Sequence, residues 1–154
     1  MLWQKAFKHN SLLLVMMNLS VQYLPILVAA VVSFIFGWLW FSKAMFGNAW
    51  VKACGMSKSD MEKMKNKGMT KPMIFGFIGQ FVMAWVLAVF IYSTGGAGWM
   101  YGLKVAFWAW IGFVATVGMS AVLWEGKSST LFWITCVHWL VALLIQGAII
   151  GAWM

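Results

Sequence analysis

Two side chains able to move a proton at neutral pH stand close together in "AVLWEGKSSTLFWITCVHWL", residues 121–140. Glu125 and His138 lie thirteen positions apart, in a chain with three acidic residues and two histidines. An acid and an imidazole within hydrogen-bond reach could relay protons or ions. The spacing argues against a direct pair. On helices, His138 falls about 12 Å deeper than Glu125 at 1.5 Å per residue. Glu125 is then a helix-end charge, expected to pair with Lys127 in the "EGKSS" turn or to cap the next helix.

His138 shares its expected depth with Gln80 and Thr116, so these three form the candidate intramembrane polar cluster. Gln22, Ser120, Thr135 and Gln146 complete the polar residues inside apolar runs. Polar groups in such settings are functional suspects by default. The competing reading of His138 is an interhelical hydrogen-bonder. No HExxH, paired carboxylate, phosphate-binding glycine loop or nucleophile–base set occurs in the sequence. That supports no enzymatic activity and no catalytic residue. One intramembrane histidine offers a single axial ligand, so no cofactor or metal is expected. Cys54 and Cys136 lack zinc or disulfide-scaffold spacing.

The elements that position these residues follow from composition. Hydrophobic residues make up 64% of the 154 and charged residues 9%, against roughly 45–50% and 25% in soluble domains. Lipid is the expected solvent. Four apolar runs are long enough to cross it: about 19–41, 73–93, 101–124 and 130–153. Their continuity excludes barrel strands. The expected fold is all-α: a four-helix transmembrane bundle, forming a single membrane domain over 18–154. Residues 1–17 read as an interfacial extension, since Leu2, Trp3, Ala6, Phe7, Leu13 and Leu14 recur at helical spacing without a cleavage pattern.

All eleven basic residues are lysines, and seven fall within 43–71 against Asp60 and Glu62. This bias places the 43–71 loop in the cytoplasm and both termini outside, in a bacterial inner membrane. Lys5, Lys8 and Lys104 oppose that orientation but are outnumbered. With no arginine, a nucleic-acid partner is not expected. Lipids are the expected surroundings. Within the loop, Met45, Phe46, Ala49, Trp50 and Ala53 share one face of an amphipathic interfacial helix. Ser59 and Glu62 suggest a capping box for a further helix that closes at Gly68, and Pro72 marks the start of the second span.

Helices in lipid approach through small residues. Three stripes are expected to pack the bundle: Ala29/Ser33/Gly37, Gly112/Thr116/Ser120 and Gly147/Gly151, with Gly76 and Gly79 on the second span. Gly147/Gly151 could instead serve a homodimer. Tryptophans near span ends, such as Trp38, Trp99, Trp124 and Trp153, form an aromatic belt. Deeper ones, Trp85, Trp108, Trp110 and Trp139, need partners for their indole N–H.

Two stretches resemble the DUF1761 family of small bacterial membrane proteins of unknown function. In residues 18–55 the matching positions are Gly37, Trp40, Phe41, Phe46, Gly47 and Trp50. In residues 110–153 they are Trp110, Gly112, Phe113, Glu125, Gly126, Lys127 and Gly147. Phe41-Ser42-Lys43 departs from a Tyr-Ser-Pro expected of the family. The resemblance implies four spans and supplies no catalytic residue. Two functions are expected in turn. One is an accessory or structural subunit, bound to other membrane proteins or to itself. The alternative is a small channel or transporter built on Gln80, Thr116 and His138.

Overall fold

The computed structural model describes residues 22–154 and is all-helical over them. The extension 1–17 lies outside the described residues, as do the first three positions expected of span one. Six helices follow in order: α1 (Tyr23–Trp40), α2 (Gly47–Ala53), α3 (Lys58–Asn66), α4 (Thr70–Ser93), α5 (Trp99–Glu125) and α6 (Ser129–Ala152). Of these, α1, α4, α5 and α6 are long and apolar enough to cross a membrane, and they form the bundle. Helix α4 starts at Thr70, before Pro72, because a proline in the first turn removes no intrahelical hydrogen bond.

Helix α6 is the hub: half of its apolar window is buried, more than in any other span. It packs on α1, α4 and the first half of α5. The core joins Ile26, Ala29 and Ala30 of α1 to Ala84, Leu87, Ala88 and Ile91 of α4, Ala106 of α5, and Leu143 and Ile150 of α6. Outward, Phe75, Phe113, Leu123 and Trp124 are exposed, as lipid-facing side chains should be.

The glycine stripe of α6 packs inside the bundle. A Cβ on Gly151 would meet the Gly98 carbonyl at 2.7 Å, and one on Gly147 would come within 2.8 Å of the Ala106 Cβ. The partner stripe on α5 is therefore Gly98, Gly102 and Ala106, and a homodimer through Gly147/Gly151 would have to unseat it. Ala29 and Ser33 are fully buried, with Ser33 Oγ donating to the Ala142 carbonyl at 3.4 Å.

The expected Gly112/Thr116/Ser120 stripe does not pack: all three residues are exposed. The cause is a π-helical segment, Trp110–Ala115, inside α5. Counting 3.6 residues per turn from Gly102 carries the packed face through Phe113, Thr116 and Ser120. One wide turn inserts an extra residue and advances the register by one. Val114, Gly118, Ala121 and Val122 turn inward instead and are half-buried. Gly118 meets Phe132 of α6, where a Cβ would stand 3.1 Å from that ring.

On the charged loop, the capping box at α3 is Ser57–Asp60, two residues before the expected Ser59–Glu62. Ser57 Oγ and N donate to Asp60 Oδ2 at 2.6 and 3.1 Å, and the Asp60 N–H donates to Ser57 Oγ at 3.2 Å. These bonds hold the Asp60 carboxyl below its ordinary range. The cap is thus intact above the usual carboxylate pKa and fades as pH falls through the lowered value. Gly68 closes the segment at φ +83°.

Candidate functional site

His138 occupies the most elaborate side-chain environment of the bundle. It projects from α6 and is 3% exposed. Four rings surround it. Phe41 and Trp139 lie 4.8 and 4.9 Å away between centroids, Phe36 stacks in parallel at 5.8 Å, and Trp40 lies at 6.1 Å. Gly37 completes the enclosure: a Cβ there would stand 3.1 Å from His138 Nε2. Neither ring nitrogen has a hydrogen-bond partner among the described residues. Aromatic faces at these distances accept N–H groups only weakly.

The chain after α1 builds this enclosure by folding back. The Phe46 N–H donates to the Trp40 carbonyl at 3.0 Å, and the Gly47 N–H to the Ser42 carbonyl at 2.9 Å. Gly47 is buried so closely under this turn that a Cβ would collide with the carbonyls of Phe41 and Ser42. The turn lays Phe46 against Trp40 at 4.5 Å and starts α2, whose Trp50 packs edge-on against Phe41 at 5.6 Å. Phe46 and Ala49 are themselves partly exposed, so the apolar face expected of α2 is only half used. Gly37, Trp40, Phe41, Phe46, Gly47 and Trp50, scattered over fourteen positions, thus become one aromatic cap over His138.

Two indoles fasten neighbouring turns of α6. Trp40 Nε1 donates to the Ile134 carbonyl at 3.2 Å, and Trp110 Nε1 to the Cys136 carbonyl at 2.9 Å. Trp110 reaches α6 from the first residue of the π segment. Of the four indoles expected to lie deep, Trp110 has thus found a backbone acceptor, whereas Trp85 and Trp108 are exposed on the outer surface.

The three residues expected to converge do not. Gln80 pairs with Gln146, whose Nε2 donates to Gln80 Oε1 at 2.9 Å and to the Gln80 carbonyl at 3.3 Å. Thr116 is exposed and donates to the carbonyl of Gly112 on its own helix at 2.7 Å. Only His138 lies in the aromatic enclosure. Gln80 sits beside Gln146, eight residues and about 12 Å further along α6 than His138, so the two differ in depth, and the π segment turns Thr116 outward. Glu125 Oε2 stands 2.8 Å from Lys127 Nζ, and both side chains are more than half exposed. Gly126 between them ends α5 at φ +66°, a left-handed conformation glycine adopts without strain.

Beside the cap lies a cleft of about 560 Å3 between the second half of α5 and the first half of α6. Cys54 and Cys136 both line it. Desolvation raises the Cys54 thiol above its ordinary pKa. Sequence reasoning missed this cleft, because its cause is the π segment.

Fold and site together define a four-span membrane bundle with a folded-back aromatic cap docked on the last span. The family model for DUF1761, described as a protein of unknown function, matches residues 24–151, and the chain belongs to that family. The match runs from the first turn of α1 to the last turn of α6. Neither curated proteins nor solved structures give a match.

Proposed function

We propose that the protein is a non-enzymatic accessory or structural subunit of a membrane complex, or a self-associating bundle. The observation that carries this reading is how the polar groups in the spans are used. Ser33, Trp40, Trp110 and Gln146 each bind α6 to another helix. Such bonds act as glue between helices. Meanwhile Trp110–Glu125 buries none of its residues and carries Gly112, Thr116 and Ser120 outward, a smooth stripe suited to close approach by a further span. A channel would draw support from Gln80, Thr116 and His138 sharing one space, and they are separated.

The orientation proposed is that of a bacterial inner-membrane protein with 43–71 in the cytoplasm and both ends outside. The lysine excess of that loop supports it. Extraction in mild detergent tests the first part: co-purification with a larger membrane protein, or an oligomer of this chain, is expected. A lone monomer that retains full native behaviour would count against it. A reporter fused after residue 154 tests the second, and a signal from the cytosol would reverse the orientation.

A further inference from the structure

We propose that the cleft between α5 and α6 is a binding site for one acyl chain of an anionic phospholipid, drawn from the leaflet on the side of the 43–71 loop. Three features carry the proposal: the cleft's length, its lining and its mouth.

The α5 wall runs from Phe113 to Val122 and the α6 wall from Leu131 to Trp139. At 1.5 Å per residue these walls are about 13 and 12 Å long. A hydrocarbon core is roughly 30 Å thick, so the cleft spans close to one leaflet. Its volume of about 560 Å3 falls within the roughly 300–1,000 Å3 of sites that hold a small organic ligand. Among the described lining side chains only Lys127 carries a charge, and nearly all the others are apolar. Such a surface suits methylene groups and has little to offer water.

The charged end is at the interface. Lys127 lines the cleft where α5 turns into α6, and Trp50 and Cys54 of the folded-back segment line it as well. Lys52, two residues before Cys54, is exposed. The 43–71 loop at this end carries seven lysines, Lys52 included, against two acidic residues. Glu125 holds Lys127, but an exposed ion pair contributes little and can be exchanged. A headgroup phosphate at the mouth would accept from Lys127 Nζ while the chain lies along Val117, Ala121 and Phe132. The π segment is what makes room for it, because it turns the small residues Gly118 and Ala121 toward α6.

Native mass spectrometry of the full chain, released from micelles doped with phosphatidylglycerol or with phosphatidylcholine, tests this. The wild type should retain one phosphatidylglycerol in preference to phosphatidylcholine. Ala121→Trp fills the cleft from a helix half that buries no residue, so an unchanged melting temperature in lipid-free detergent should accompany loss of the bound lipid. Lys127→Gln should keep the bound chain but lower the preference for phosphatidylglycerol about five-fold, the worth of one lysine at an anionic surface. Should Ala121→Trp fail to fold, Lys127→Gln alone decides, since that side chain is exposed. Equal retention of the two lipids by the wild type would overturn the proposal. So would undiminished lipid binding by Ala121→Trp, competition by soluble glycerol phosphate, or a second polypeptide in place of lipid that Ala121→Trp displaces.

Discussion

The two halves of α5 each carry small residues at intervals of four and meet opposite fates. Trp99–Ala109 and its N-cap present Gly98, Gly102 and Ala106 at intervals of four, and pack backbone to backbone on Gly147 and Gly151. Thr116–Glu125, with Gly112, Thr116 and Ser120 at the same interval, buries none of its residues. A small-residue stripe permits close approach but does not say which face meets a partner. The intervening π turn decides that, by advancing the register one residue. The same turn brings Trp110 onto the Cys136 carbonyl and opens the cleft. The W-x-G-F motif at Trp110, Gly112 and Phe113 sits at this switch.

The largest effect should come from breaking the first half. Gly102→Leu drives a side chain into the Gly147 backbone, which cannot move aside as a flexible side chain could. It should cost at least about 3 kcal/mol, at or above the upper end of ordinary overpacking. Gly112→Leu, where a Cβ meets nothing within 4 Å, should change stability by less than about 0.5 kcal/mol. Thermal unfolding in one detergent compares the two. Equal destabilisation would remove the distinction between the halves.

Next comes the aromatic cap, which anchors the α6 turns that the second half of α5 leaves uncovered. His138→Ala empties the space among Phe36, Trp40, Phe41 and Trp139, and should cost about 2–4 kcal/mol as buried truncations do. His138→Leu refills most of the volume and removes two ring nitrogens that lack partners among the described residues. It should stay within about 1 kcal/mol of the wild type, because apolar replacement of an unsatisfied polar group is close to neutral. A loss as large as alanine's would mean that the imidazole is bound to something essential.

The register argument can be tested directly. Deleting Ile111 should convert the π turn to α-helix and rotate the second half back by one residue. With Cys54 and Cys136 replaced by Ala, Ser120→Cys should react readily with a lipid-soluble maleimide in the otherwise native chain. In the deletion it should turn toward α6 and react slowly. Equal rates would show that the π segment does not set which face packs.

What could be read from the chain, and what could not, divides along the same line. Span positions were legible to within a few residues, because twenty apolar side chains in a row have one physical use. The α6 stripe was legible, but its mate was not: Gly98 lies at the head of α5 and reads as part of a glycine-rich turn. The π segment left no trace, since "WIGFVA" has neither proline nor a polar break, and the shift lies in hydrogen-bond register. The cap residues formed a visible motif around Trp40 and Trp50. Their convergence on His138, almost a hundred positions later, depends on tertiary packing alone. The sequence reads as a Ser59–Glu62 capping box and the structure forms Ser57–Asp60, because a hydroxyl and a carboxylate three residues apart do not by themselves fix where a helix starts.

The smallest expected effect separates packing from polar glue. Gln146 and Gln80 form a buried side-chain hydrogen bond one residue from Gly147, so the two kinds of contact sit side by side on α6. A bond between helices in a membrane averages about 0.6 kcal/mol and reaches about 1.7, because the separated helices find other partners in lipid. Gln146→Leu should therefore cost roughly that much, with Gln80→Leu and the double variant completing a cycle. A backbone collision at Gly102 has no such alternative partner to soften it. The bundle should accordingly tolerate loss of its deepest polar pair better than one added side chain at its closest helix crossing. If the cycle returned a coupling larger than the cost of Gly102→Leu, hydrogen bonding rather than close approach would be what separates the bound half of α5 from the open one.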